Sequence, residues 1–154
     1  MSEIVLVAIG RAGRTPEAEL VARYAERLRP KLRLVELPDG RGAPAECRRR
    51  EGEALLAALP EHAFVVALDL GGKVLDTETF AARLGQWLET GRKLAFVIGG
   101  AEGFDRAVID RADFVLSLGA MTWPHQLARA MLAEQIYRAQ AIAAGHPYHR
   151  AGRP

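Results

Sequence analysis

The residues best equipped for chemistry lie in the last third of the chain. Gly145-His146-Pro147-Tyr148-His149-Arg150 follows a long apolar-rich stretch, and further upstream Pro124-His125 precedes Arg129 by one helical turn. A guanidinium can hold an anion, a phenol ring can stack on a base, and an imidazole can move a proton near neutral pH. The plain alternative for the tail is a frayed terminus, and for His125 a helix-start residue that only packs. A second signal is a shortage of side chains. Residues 69–73 (DLGGK), 99–103 (GGAEG) and 117–124 (SLGAMTWP) each follow an apolar run and each contain glycine. A strand ending in glycine lets main-chain N–H groups come close to a ligand, because no Cβ stands between them. One such turn is ordinary turn chemistry. Three of them after successive strands describe a pocket built mainly from main chain.

Those segments need strands and helices to hold them. Residues 4–9 (IVLVAI) form a continuous apolar run closed by Gly10 and read as a buried strand. Thr15-Pro16-Glu17 starts a helix, with a capping hydroxyl, proline in the first turn and an acid near the positive dipole end. It is expected to run to about Arg29, with Leu20, Tyr24 and Leu28 on one face, before Pro30 stops it. Residues 32–37 are a second strand and 38–42 (PDGRG) a turn. Residues 45–59 read as a helix with Cys47, Leu55, Leu56 and Leu59 inward. Residues 63–70 are a third strand, and Asp76 or Thr77 caps a helix to about Glu89 carrying Phe80, Leu84, Trp87 and Leu88. Residues 94–98 are a fourth strand, followed by a short helical pattern and a fifth strand at 114–116. The last helix spans Pro124 to about Ala144, and Pro147 ends it in an extended segment. Its Leu127, Met131, Leu132, Ile136, Tyr137 and Ala139 make a stripe wider than one core contact needs. Continuous apolar strands alternating with helices predict a parallel α/β sheet covered by helices on both faces, with ligands outside the carboxyl ends of the strands.

Bulk properties bound the rest. A chain of 154 residues, 49% hydrophobic and 26% charged, is expected to fold as one globular domain (1–154) with a real core. No apolar run approaches the roughly 20 residues that span a bilayer, and the start, with Glu3 in it, reads as strand rather than leader. A single cysteine, Cys47, excludes an intramolecular disulfide and fits the cytoplasm. Four histidines at scattered spacings offer no structural zinc site. The formal charge of +2 permits an anionic partner without requiring one. Arginines gather at Arg11 and Arg14, at 48–50, and in the tail at Arg150 and Arg153 with His146 and His149. Each group alone reads as a solvated face.

Familiar nucleotide fingerprints are missing. A dinucleotide fold wants GxGxxG after the first strand and an acid about 20 residues on. Here the first strand ends in Gly10-Arg11-Ala12-Gly13, with no third glycine and no convincing acid at the end of the next strand. Gly72-Lys73-Val74 fails the last position of a Walker phosphate loop. NAD and ATP are disfavoured.

Three long stretches carry a resemblance. Residues 117–129 (SLGAMTWPHQLAR), Glu134-Gln135-Ile136-Tyr137-Arg138-Ala139 and Pro147-Tyr148-His149-Arg150 closely resemble the RlmH family, SPOUT-class methyltransferases acting on pseudouridine in large-subunit ribosomal RNA. The likeness extends to residues 68–73 (LDLGGK), 97–103 (VIGGAEG) and the first strand with Gly10, and so spans nearly the whole chain. It implies an α/β fold whose C-terminal part threads a trefoil knot, which periodicity could not have shown. It also implies a homodimer and S-adenosyl-L-methionine as methyl donor. Carried over by position, Leu68, Gly99 and the run Leu118, Gly119, Ala120, Met121, Thr122 and Trp123 would contact that donor, with Gly100 and Gly103 shaping the turn. Gly119 stands where many relatives have serine, and Ala101 where proline or serine is common; main-chain contacts remain possible at both.

The implied reaction is metal-free methylation of N3 of a pseudouridine, which needs alignment and a deprotonated imide nitrogen. His125 and Arg129 are expected around the target base with Tyr148, His149 and Arg150. Arg150 would hold phosphate or the developing anion, Tyr148 would pack on a ring, and His149 would accept the proton. A dimer interface along the last helix would bring one subunit's tail to the other's donor. The substrate would be RNA presented by an assembled ribosomal particle, with the arginines adding phosphate contacts. Two other readings remain: an RNA-binding module that has lost the cofactor, and a Rossmann-type small-molecule enzyme.

Overall fold

The computed structural model describes residues 3–150; Arg153 and the rest of 151–154 lie outside them. The elements run in order β1 (Ile4–Ile9), α1 (Pro16–Arg27), β2 (Leu32–Leu37), α2 (Pro44–Ala58), β3 (Phe64–Val74), α3 (Thr77–Glu89), β4 (Leu94–Ile98), α4 (Arg106–Arg111), β5 (Phe114–Ser117) and α5 (His125–Ala143). The five strands form one sheet in the order β2-β1-β4-β3-β5, and every pair is parallel. β1 and β4 are buried along their whole length, as unbroken apolar runs require when helices cover both faces. Alternate residues sort to the two sides. Leu6, Phe96, Val66, Phe80, Trp87, Leu132 and Ile136 make the core under α1, α3 and α5. Val5, Val7, Val65, Val97, Leu55 and Val108 make the core under α2 and α4.

Local chemistry sets the helix ends. Thr15 accepts the Ala18 N–H at 3.1 Å and Asp76 accepts the Thr79 N–H at 2.8 Å, so Asp76 rather than Thr77 caps α3. α1 stops at Arg27, two residues short of expectation, because Leu28 leaves the helix to bury completely. α5 is ended by Gly145, not by Pro147. At φ +72° Gly145 turns the chain so that its N–H reaches Ile142 O at 3.1 Å and the His146 N–H reaches Ala141 O at 2.9 Å. The tail therefore turns back instead of running on extended.

One sequence boundary is wrong in a way that shapes the site. Residues 71–73 were expected to form a loop after the third strand, yet β3 continues to Val74. Leu68 and Lys73 both face Leu116 across the ladder, so residues 69–72 bulge out of the strand and pairing then resumes. Gly72 makes this possible, since a Cβ there would lie 2.6 Å from Val115 O.

Candidate functional site

A cleft of about 600 Å³ opens at the carboxyl ends of β3, β4 and β5. Its walls come from the β3 bulge (Leu68, Asp69, Leu70), from Gly99, Gly100, Ala101, Gly103 and Phe104 after β4, and from Leu118, Met121, Thr122 and Trp123 after β5. The three side-chain-poor segments thus meet. A side chain at Gly99 would press on Gly103 O and the Phe104 ring at 3.3 Å, so the second of these turns packs most closely with glycine there. Gly103, at φ +78°, donates its N–H to Gly100 O at 3.1 Å and tightens the turn. Gly119 and Ala120 stand outside the cleft wall; the Gly119 N–H donates to Ser117 Oγ at 3.1 Å and shapes the third segment from behind. Met121 (71% exposed), Leu70 (57%) and Trp123 (38%) hold apolar surface open at the rim.

His125 begins α5 and lines the same cleft, half-buried. Its Nε2 lies 3.6 Å from the point where a Gly10 Cβ would stand, and Asp39 Oδ1 lies 3.7 Å from that point. Arg129 behaves differently from expectation. It is 1% exposed and faces no open space. β1 pairs with β4 only as far as Ala8, so the ladder with β4 stops just before Ile9 and Gly10. Arg129 Nη2 donates to the carbonyls just past that point, Ile9 O at 2.9 Å and Gly10 O at 2.8 Å, while Nη1 meets Glu36 Oε2 at 2.6 Å. The same Glu36 oxygen accepts the Ala12 N–H at 2.8 Å. Burial pushes the Glu36 carboxyl up, but the Ala12 N–H and the guanidinium outweigh it and hold it below its ordinary value.

The tail docks elsewhere. Tyr148 donates its hydroxyl to Glu134 Oε2 at 2.8 Å and sets its ring edge-on to Tyr137, centroids 4.8 Å apart. Arg138 grips Glu134 at 2.7 Å and lies 4.7 Å over the Tyr148 ring. His149 Nδ1 sits 3.1 Å from Arg138 Nη1. A guanidinium only donates, so Nδ1 accepts and Nε2–H is left to donate to Glu78 Oε1 at 3.2 Å. Burial raises the Glu134 carboxyl, and the hydrogen bonds from Arg138 and Tyr148 more than reverse it. Burial and the hydrogen bonds around the Tyr148 hydroxyl push that phenol well above its usual range. Arg150 is exposed.

Within one chain, then, the five residues expected around a base are not together. His125 is in the cleft, Arg129 is sealed behind it, and Tyr148 and His149 are tied to α5 nine or more residues further on, roughly 13 Å along the helix axis. Between the two ends lies a second groove of about 460 Å³, apolar, lined by Leu20 and Tyr24 of α1, Leu127 and Met131 of α5, and Val74 and Leu75. Three residues that hold the structure here drew no role from the sequence. Glu134 and Arg138 stand four apart on a helix, a spacing that could have been noticed as an ion pair. Glu51, buried in α2, gave no signal among its charged neighbours. Among the described residues no three metal-ligating side chains gather, and no helix is long and apolar enough to cross a membrane.

Comparison with known proteins agrees with this architecture. A family profile described as a predicted SPOUT methyltransferase matches residues 2–149. Proteins called ribosomal RNA large subunit methyltransferase H are similar along nearly the whole chain. The one from Acidiphilium cryptum is 64% identical over 149 residues, covering 97% of this chain and 94% of the relative. That from Gluconacetobacter diazotrophicus is 61% identical, covering 97% and 98%. A solved structure of a probable methylase family protein from Haemophilus influenzae superposes with a TM-score of 0.57 over 99% of this chain and 71% of its own, at 11% identity, a likeness of fold.

Proposed function

Because the chain belongs to the SPOUT methyltransferase family, with the ribosomal RNA large subunit methyltransferase H proteins, and is a methyltransferase, we propose that it methylates N3 of a pseudouridine in large-subunit ribosomal RNA, using S-adenosyl-L-methionine, on the assembled ribosome. The trefoil knot of the C-terminal part follows from membership of the family. The observation that carries the proposal is the meeting of three side-chain-poor segments in one cleft.

The cleft's chemistry fits that donor. Its volume is in the range of nucleotide-sized sites, Asp69, Thr122 and His125 are the polar side chains among mostly apolar and glycine lining residues, and Leu68, Leu118, Met121 and Trp123 offer apolar surface to a flat base. When bound, the sulfonium supplies an electrophilic methyl group that an imide nitrogen can take by in-line displacement without a metal. The protein's part is alignment and charge. His125, at the cleft wall, is placed to hydrogen-bond an incoming base. Arg129 acts from behind, fixing the end of β1 against which His125 rests.

Tyr148, His149 and Arg150 cannot serve their own chain's cleft while Glu134, Arg138 and Glu78 hold the tail. A second copy laid along the apolar groove between α1 and α5 would cover Leu127 and Met131 and bring its own tail to this cleft, so the working unit is a homodimer with composite sites. In that arrangement Arg150 holds phosphate or the developing anion, Tyr148 packs on a ring and His149 takes the proton. Arg11, Arg14 and Arg41, all exposed, add salt-sensitive phosphate contacts.

Calorimetry is expected to give binding of S-adenosyl-L-methionine and none of NAD. Mass spectrometry of ribosomal RNA from cells lacking the protein is expected to show one pseudouridine without its methyl group. His149→Ala and Arg150→Ala are expected to cut turnover while donor affinity barely changes. Ribosomal RNA methylated as before would overturn the substrate assignment, and equal losses of turnover and affinity would overturn the tail's role.

A further inference from the structure

Behind the glycine turn after β4 lies a carboxyl group that the reaction as described does not use. Glu51, on α2, is 4% exposed. Its Oε2 accepts the Gly40 N–H at 2.8 Å and faces the Cys47 thiol at 3.4 Å, which ties it to the turn between β2 and α2. Its Oε1 is buried and has no partner among the described residues. Both oxygens lie 3.1 Å from the point where a Gly100 Cβ would stand. Glycine at 100 therefore admits this carboxyl group to the back of the cleft wall.

A buried acceptor without a donor is rare and costly in a folded protein, and such groups gather at functional sites. The turn at residues 99–103 closes where Gly100 and Gly103 pair, the Gly103 N–H donating to Gly100 O at 3.1 Å, and the N–H groups of Ala101 and Glu102 have no protein partner among the described residues. An orphan acceptor thus lies against Gly100 of a turn whose exposed N–H groups at 101 and 102 are not tied to protein acceptors, and the same turn lines the cleft through Gly99, Gly100 and Ala101.

We propose that Glu51 is a positioning residue for the methyl donor: when the donor seats in the cleft, the turn at residues 99–103 shifts onto α2 and gives a main-chain N–H to Glu51 Oε1. The inference rests on the reading of this cleft as the donor site. The carboxyl group then has its full set of partners only in the loaded protein, and its unmet valence in the free protein is a stability cost held in reserve for binding. Because Oε2 is fastened to Gly40, the same side chain joins the donor-binding turn to the segment at the ends of β1 and β2, where Gly10, Asp39 and His125 approach one another.

Glu51→Gln tests this without disturbing shape. Glutamine keeps a carbonyl oxygen for the Gly40 N–H and places an NH2 group where Oε1 was, which cannot accept from the turn. Three readouts on the full-length protein are needed: the thermal midpoint without ligand, the Kd for S-adenosyl-L-methionine by calorimetry, and hydrogen exchange of the amides at 100–103 with and without it. The expected result is an unchanged or higher midpoint, a Kd raised about tenfold, and loss of the ligand-induced protection at 100–103 seen in the wild type. Glu51→Asp, which keeps the charge but shortens the reach, should fall between the two in Kd. A purely structural role predicts the reverse: a lowered midpoint with Kd unchanged among the molecules that remain folded. That outcome, a Glu51→Gln protein that fails to fold, or equal Kd values would overturn the proposal. Failure of the wild type itself to bind S-adenosyl-L-methionine would instead overturn the reading of the cleft.

Discussion

Truncating Arg129 offers the sharpest test of how the cleft is held in place. Arg129→Ala removes donors from Ile9 O and Gly10 O and leaves Glu36 without its counter-charge. Breaking a buried pair by deleting one partner costs about 3–5 kcal/mol. Glu36 is 26% exposed and can recover some hydration, whereas the arginine side chain is 1% exposed. The low end applies, about 3 kcal/mol. For a chain of this size that corresponds to a fall of roughly 6–12 °C in thermal midpoint. Arg129→Lys should lose most of the same amount, because one ammonium cannot span two carbonyls and a carboxylate in the plane of a fork. Glu36→Gln keeps an acceptor but leaves the buried guanidinium without its counter-charge, and should cost about 1.5–3 kcal/mol. The pH dependence adds a signature. Glu36 has a folded value held below its ordinary 4.5, so its contribution is present above that pH and is lost as pH falls through the folded value. Wild-type stability should therefore drop more steeply below about pH 4.5 than that of Arg129→Ala. Denaturant titration from pH 3 to pH 7 (roughly the span over which a carboxyl titrates) measures both effects. A loss under about 1 kcal/mol for Arg129→Ala, or parallel pH curves for the two proteins, would refute the claim that this guanidinium completes the end of β1.

Three further outcomes follow from particular contacts. Gly72→Ala would set a methyl 2.6 Å from Val115 O; the strand must shift, at about 1–3 kcal/mol, and an unaltered denaturation midpoint would show that the bulge is not held by that approach. Tyr148→Phe deletes a 2.8 Å hydrogen bond to the Glu134 carboxylate, worth about 1.5 kcal/mol, and should release the tail to hydrogen exchange; unchanged protection at residues 146–150 would argue against its docking on α5. Thr15→Ala removes the cap on α1 and should cost about 1 kcal/mol with no change in affinity for S-adenosyl-L-methionine if that ligand takes the cleft proposed for it, since no α1 residue lines that cleft.

What could be read from the sequence is what depends on neighbours along the chain. Unbroken apolar runs identified the strands, because a parallel sheet buries both faces and Val7 or Phe96 has no solvent side to reserve for a polar residue. Thr15 and Asp76 marked helix starts, because capping is a transaction between residues three apart. The glycines after β4 marked the cleft, because close main-chain approach is a local steric property. Tertiary structure decided what depends on residues far apart. Arg129 looked available for a base, yet its donors are taken by Ile9 and Gly10, some 120 positions away in sequence. Gly72 looked like a loop residue, yet its lack of a Cβ matters only because Val115 of another strand lies against it. Pro147 looked like the stop of α5, but Gly145 turned the chain first, and the tail then found Glu134, Arg138 and Glu78. Glu51 could not be singled out at all: a glutamate in a charged helix is ordinary until packing buries it behind Gly100. Local sterics and periodicity are written in the order of residues, whereas the partner of a buried charge is chosen only when the chain has folded.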